Sequence, residues 1–183
     1  MRESEEAVSE ALDAMEKALD NAGRLARNLG EVGALGIEEP GTLDVNELVR
    51  ASIRGIPEKS VETALDAFVA PVFARASDVS RALRALLQNA REANGGTGRV
   101  RIATGEDSDE VRVLVEDGGE GIPEVVRRRD FDPLFSTSGQ RGRGLGITVA
   151  RLAALIAGGR LTLEDLQGGG TRAIFALPRG APR

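Results

Sequence analysis

Two short stretches of this 183-residue chain carry residue types able to hold a nucleotide. The first is Val115-Glu116-Asp117-Gly118-Gly119-Glu120-Gly121-Ile122-Pro123. It follows Val111 and Val113, whose alternation with Val115 predicts a half-buried strand, so Asp117 falls where a strand ends and the backbone turns. An ionised carboxylate only accepts hydrogen bonds, which suits an exocyclic amino group such as that of adenine. Gly119 and Gly121 allow a tight turn and close approach to a flat ligand, and Pro123 stiffens the exit. The second stretch is Gly142-Arg143-Gly144-Leu145-Gly146-Ile147, ahead of an apolar-periodic run of Ile147, Leu152, Leu155 and Ile156 that predicts a helix. Glycine N–H groups opening a helix form an anion site, with phosphate the usual anion. A base at one end and phosphates at the other make a nucleotide site. Each stretch alone has a plainer reading: Asp-Gly-Gly is a turn, and a Gly-x-Gly-x-Gly run without a strand directly before it is not the dinucleotide fingerprint.

The order of these stretches and their flanks resembles a family. Asp117 to Pro123 looks like the first glycine box of the Bergerat-type ATPases, which include gyrase, MutL, the heat-shock chaperone ATPases and sensor histidine kinases. Leu86-Leu87-Gln88-Asn89-Ala90-Arg91-Glu92-Ala93 resembles their asparagine box, and Gly142 to Ile147 the second glycine box. Phe131-Asp132-Pro133-Leu134-Phe135-Ser136-Thr137-Ser138 is similar to the phenylalanine box of histidine kinases, and Gly168-Gly169-Gly170-Thr171-Arg172-Ala173-Ile174-Phe175 to the closing segment. The resemblance covers roughly residues 41–178. It implies an α+β fold, a two-layer α/β sandwich of Bergerat ATPase type. Its mixed, mostly antiparallel sheet would be covered on one face by helices and preceded by a long N-terminal helix. It also implies ATP and Mg²⁺ as cofactors, with nucleotide contacts from Asn89, Glu92, Ala93, Asp117, Gly119, Gly121, Ile122, Ser136, Thr137, Gly142, Gly144, Leu145, Gly146 and Thr171.

The bulk composition agrees with one soluble domain plus an extension. Apolar residues make up 41% of the chain, enough for a single core. A net charge of −5 argues against a nucleic-acid surface. With no cysteine there is no disulfide or thiolate chemistry, and no long apolar run or signal-peptide pattern predicts membrane contact, so a cytoplasmic location is expected. The absence of histidine excludes imidazole catalysis and histidine phosphorylation within this chain. Only Lys17 and Lys59 are lysines, both outside the glycine stretches, so a cation on a terminal phosphate would be an arginine.

These residues need elements to position them. Val8, Leu12, Met15, Leu19, Ala22, Ala26 and Leu29 form a broad three-four stripe, predicting a helix that packs in a bundle and a homodimer through it, with a helix packed on its own domain as the alternative; the resemblance implies the trailing helix of a dimerisation hairpin. Residues 1–36 are read as this dimerisation segment and linker, the glycines from Gly30 to Gly41 as a hinge, and 37–183 as the catalytic domain. Asp44 with Glu47 predicts a helix start. Strands are expected near Val61–Leu65 and Pro71–Arg75, then a helix capped by Ser77 or Asp78 with Val79, Leu83, Leu86, Leu87 and Ala90 inward. Asn89 lies late in that helix, where its amide needs a partner: either Mg²⁺, which accepts an amide oxygen alongside phosphates and waters, or a structural bridge. Asn94 reads as solvated. Strands at Val100–Thr104, Arg160–Leu163 and Thr171–Leu177 complete the sheet, and the resemblance implies that Thr171 bridges to the adenine beside Asp117.

Phosphoryl transfer requires an in-line nucleophile and neutralisation of the moving phosphoryl group. Mg²⁺ at Asn89, backbone N–H groups at Gly144–Gly146 and an arginine, Arg141 or Arg143, would supply the second. In hydrolytic members of the family a glutamate one turn before the asparagine activates water; here that position is Ala85, which predicts slow hydrolysis and a kinase awaiting a protein acceptor. The expected role is the catalytic domain of a sensor histidine kinase. It would use a histidine-bearing helix upstream or in trans and a response regulator receiver domain as partners. An anti-sigma-type serine kinase and a degenerate ATPase-fold scaffold are the alternatives.

Overall fold

The computed structural model describes residues 29–96, 98–122 and 144–180, with helical positions at 12, 14–16, 18, 19, 23 and 26. The elements are β1 (Gly41–Leu43), α1 (Val45–Ser52), a 3-10 turn (Glu58–Ser60), β2 (Val61–Ala64) and β3 (Val72–Ala74). They continue with α2 (Ala76–Ala93), β4 (Val100–Glu106), β5 (Glu110–Glu116), α3 (Gly144–Ile156), β6 (Arg160–Asp165) and β7 (Thr171–Pro178). Five strands form one sheet in the order β2-β4-β5-β7-β6; β2 and β4 run parallel and the other pairs antiparallel. β1 and β3 make a separate antiparallel pair.

Alternation decides the faces of this sheet. Val100, Ile102, Val111, Val113, Val115, Ala173, Phe175 and Leu177 point inward and are buried under the helices. On α2, Val79, Leu83, Leu86, Leu87 and Ala90 recur at helical spacing and meet them. The other face is solvated and carries one row of charge at the end nearest Asp117. Glu62, Arg101, Glu116, Arg172 and Glu164 stand in register across all five strands with alternating sign. Glu116 sits between its two arginines, 3.0 Å from Arg101 and 2.6 Å from Arg172. Burial pushes its carboxyl up, but the hydrogen bonds and charges of Arg172 and Arg101 outweigh this and hold it below the usual carboxylate value.

Two local expectations, the start of α2 and the ends of β6 and β7, need correcting, and the predicted helix α3 buries its small residues. Helix α2 begins at Ala76, with Arg75 as its N-cap residue and no side-chain cap. Ser77 and Asp78 lie inside the first turn, where Asp78 is buried and spends both carboxylate oxygens on the distant Gly36 N–H, at 3.2 and 3.1 Å. On α3 the buried residues are Val149, Ala150, Ala153 and Ala154, while Leu155 and Ile156 are exposed. Small side chains let α3 come close to α2, so the larger residues turn outward. Strands β6 and β7 also run further than expected, to Asp165 and Pro178. By contrast Asp44 caps α1, accepting the N–H groups of Asn46 at 2.8 Å and Glu47 at 3.2 Å.

In the N-terminal segment Leu12, Met15, Leu19 and Leu29 are helical and exposed. Among the described residues no helix is long and apolar enough to cross a membrane.

Candidate functional site

Strand β5 ends at Glu116, and β7 fixes the residue that follows. The Asp117 N–H donates to the Thr171 carbonyl at 3.0 Å. The Thr171 N–H donates back to Asp117 Oδ1 at 3.3 Å, and the Gly119 N–H donates to the same oxygen at 2.9 Å. Asp117 is buried, and Thr171 stands beside it as a pairing partner. Gly170 closes this corner: its φ of +100° is in the left-handed region, and a side chain there would strike the Asp117 carbonyl.

The turn after Asp117 rests on the C-terminal end of α2. A Cβ on Gly119 would lie 2.8 Å from the Ala93 carbonyl oxygen and 3.0 Å from the Ala93 Cβ, so only glycine fits without displacement. Asn94, expected to be solvated, is half-buried and structural. Its Oδ1 accepts the Gly118 N–H at 2.8 Å, and its Nδ2 donates to the Arg99 carbonyl at 3.0 Å. On the opposite side of the turn the Ile122 N–H donates to Asp165 Oδ1 at 2.9 Å, and Gly121 lies against the same carboxylate. Sequence reasoning assigned no role to Asp165. Asn94 carried a faint signal, since Asn-Gly-Gly after an apolar helix is helix-end chemistry.

The second glycine cluster meets α2 one turn before Asn89. Gly146, in the first turn of α3, packs on Ala85, with van der Waals room (3.5 and 3.8 Å) between a Cβ there and the Ala85 carbonyl oxygen and Cβ. Gly144 and Leu145 supply the opening backbone of that helix. Ala85, Asn89 and Ala93 are spaced i, i+4, i+8 and therefore share one face of α2, where all three are half-buried. Helical rise places the two alanines about 12 Å apart. The first glycine loop thus touches one end of this stripe and the helix N-terminus the other, with Asn89 between.

Asn89 has no hydrogen-bond partner for its half-buried amide among the described residues. Also among the described residues, no group of three or more acidic side chains could hold a cation. An amide oxygen beside a triphosphate fits Mg²⁺, which binds through few protein ligands and keeps phosphates and waters. Glu92, half-buried near the end of the same helix, accepts from Gln88 Nε2 at 2.9 Å. Ser136, Thr137, Arg141, Gly142 and Arg143 lie outside the described residues, as do Pro123, Phe131 and Phe135.

Comparison with known proteins adds a family and neighbours. Residues 74–181 match the family described as histidine kinase-, DNA gyrase B-, and HSP90-like ATPase. The chain is 31% identical over 136 residues to the signal transduction histidine-protein kinase/phosphatase MprB of Mycolicibacterium vanbaalenii, an alignment covering 71% of this chain and 28% of that protein. It therefore spans under a third of that relative. Its structure is similar to the catalytic domain of histidine kinase ThkA, with a TM-score of 0.65 and 28% identity, covering 78% of this chain and 98% of that one. It is also similar to the mycobacterial sensor histidine kinase MprB, with a TM-score of 0.61 and 26% identity over 76% and 97% of the two chains.

Proposed function

The chain belongs to the histidine kinase-, DNA gyrase B- and HSP90-like ATPases, and from that premise we propose that it is the ATP-binding catalytic part of a sensor histidine kinase. The observation that carries this reading is the stripe Ala85–Asn89–Ala93. The turn that follows the Asp117 carboxylate touches one end of it and a helix N-terminus the other, the two features that a base and its phosphates require.

The adenine amino group donates to Asp117, and Thr171 lines the same corner. The α- and β-phosphates lie toward the backbone N–H groups at Gly144–Gly146. Asn89 would hold Mg²⁺, which when bound neutralises charge on the transferring phosphoryl group. Arg141 or Arg143 supplies positive charge at the γ-phosphate. Ala85 is covered by Gly146 and bears no carboxylate, so no base at that position readies a water, and the γ-phosphoryl group leaves to a protein nucleophile instead. The acceptor is a histidine on another helix, since this chain has none. The exposed stripe of Leu12, Met15, Leu19 and Leu29 supports a helical dimer contact, and a response regulator receiver domain is the onward acceptor.

The test is direct. Asp117→Asn should weaken ATP binding in calorimetry by about 1–3 kcal/mol, the scale for a buried donor losing its acceptor. Supplying a histidine-bearing helical hairpin in trans with labelled ATP should yield acid-labile phosphate on the hairpin. Unchanged affinity in Asp117→Asn, or acid-stable label on serine, defeats the proposal.

A further inference from the structure

We infer that Asn94 and Asp165 are positioning residues for nucleotide selectivity, gripping the Asp117–Ile122 turn from opposite sides so that Asp117 cannot retreat from the wrong base. The inference rests on the adenine site proposed above and deepens it.

Asp117 can tell adenine from guanine only by its acceptor character. Adenine offers an amino donor where guanine offers a carbonyl, and two acceptors facing each other repel. That discrimination survives only if the carboxylate is fixed, because a shift of about 1 Å lets water or a rotated side chain relieve the clash. Asp117 Oδ1 is already committed to Gly119 and Thr171 N–H groups. Thr171 on β7 fixes one of these contacts, and the other, at Gly119, depends on where the turn itself is held.

Two side chains from outside the turn hold it. Asn94 comes from the end of α2 and takes the Gly118 N–H at 2.8 Å. Its other amide atom is anchored to the Arg99 carbonyl at the start of β4. Asp165 comes from the last residue of β6 and takes the Ile122 N–H at 2.9 Å. The turn is thus tied to the helix layer at one end and to the far edge strand of the sheet at the other. Gly119 seats against Ala93 between the two ties. Neither Asn94 nor Asp165 needs to touch the nucleotide. Each acts through a backbone N–H of the turn.

The experiment uses the full chain and compares Asp165→Ala, Asp165→Asn, Asn94→Ala and Asn94→Asp with wild type and Asp117→Asn. Affinity for ATP is read by calorimetry and for GTP by competition against labelled ATP. Amide exchange of Gly118 and Ile122 is followed without nucleotide. Each alanine variant should lose ATP affinity roughly five- to tenfold, the scale of one hydrogen bond, and the ATP-to-GTP ratio should fall with it. Asp165→Asn keeps an acceptor oxygen for the Ile122 N–H and should stay within about twofold of wild type, whereas Asn94→Asp keeps the Gly118 acceptor but turns an oxygen toward the Arg99 carbonyl and should lose affinity as Asn94→Ala does. Exchange should quicken at Ile122 in Asp165→Ala and at Gly118 in Asn94→Ala, while amides of β5 keep their protection. If Asp165→Ala fails to fold, Asn94→Ala carries the same test from the other side. Equal losses for ATP and GTP, with the ratio unmoved, would reduce both residues to structural ties and overturn the inference. If Asp117→Asn alone collapses the ratio, the inference falls and the adenine site stands. If Asp117→Asn leaves the ratio alone as well, both fall together.

Discussion

The two ends of helix α2 solve the same problem with different chemistry. At each end a side chain of the helix captures a backbone N–H from a distant segment. At the N-terminal end that segment is the stretch before β1. Asp78 holds the Gly36 N–H, Glu38 accepts the Ser77 N–H at 2.9 Å, and Arg81 pairs with Glu31. At the C-terminal end the segment is the glycine turn, and α2 holds it with the neutral amide of Asn94 and the backbone of Ala93. The N-terminal end is therefore a charged junction, open to salt and, through Glu38, to pH, whereas the contact α2 makes with the glycine turn through Asn94 is uncharged. Changes in the preceding segment are therefore expected to leave the support of the turn unaltered.

The comparison breaks if the ends prove energetically joined. The largest effect should come from Gly119→Val. It places a side chain against the Ala93 backbone and should cost about 3 kcal/mol of stability, the top of the range for overpacking. Chemical denaturation should show that loss together with loss of ATP binding. Next comes Asp78→Ala, which removes the acceptor for Gly36 and should cost about 2 kcal/mol of stability while leaving ATP affinity within twofold. The two ends are about 24 Å apart along the axis, so Asp78→Ala and Asn94→Ala should add within about 0.5 kcal/mol. A larger coupling in the double-mutant cycle would mean that α2 transmits the state of the linker to the turn.

Smaller effects sharpen the contrast through pH. The depressed carboxyl of Glu116 means that the folded state prefers it ionised. Its contribution is fully present above the ordinary carboxylate value and is lost as pH falls through the depressed one. For a partly exposed pair this amounts to about 1 kcal/mol or less. The difference in melting temperature between wild type and Glu116→Gln should accordingly close in acid. The smallest effect is local. The Ser77 N–H holds the Glu38 carboxyl below its usual value, so protonation in acid should loosen this tie and speed Ser77 amide exchange. The Asn94 tie at Gly118 has no such titration, and a matching acid step there would contradict the contrast.

Much of the framework around the candidate site was legible in the sequence because its signals are local. The alternation through Val111, Val113 and Val115 placed Asp117 at a strand end, and helical spacing put Val79, Leu83, Leu86 and Leu87 inward. Asn94, Asp165 and Asp78 were not legible in the same way. Their partners lie 24, 43 and 42 residues away, and no short pattern encodes such a pairing. The outward turn of Leu155 and Ile156 was hidden for a related reason. Residue hydrophobicity alone would bury them, but close packing of two helices favours Ala150, Ala153 and Ala154 at the contact.

Residue order by itself determined which groups exist and which way they face within one element, because strand and helix periods are fixed by backbone geometry. It supplied the carboxylate, the amide and the glycines, and it removed histidine and cysteine from the chemistry. Only the tertiary structure decided that Ala85, Asn89 and Ala93 are bracketed by the two glycine clusters, and that Asn94 and Asp165 grip the turn between them. Those contacts arise when strand register and helix packing bring distant backbone N–H groups within hydrogen-bond reach. That distance is set by the whole core and by no single segment.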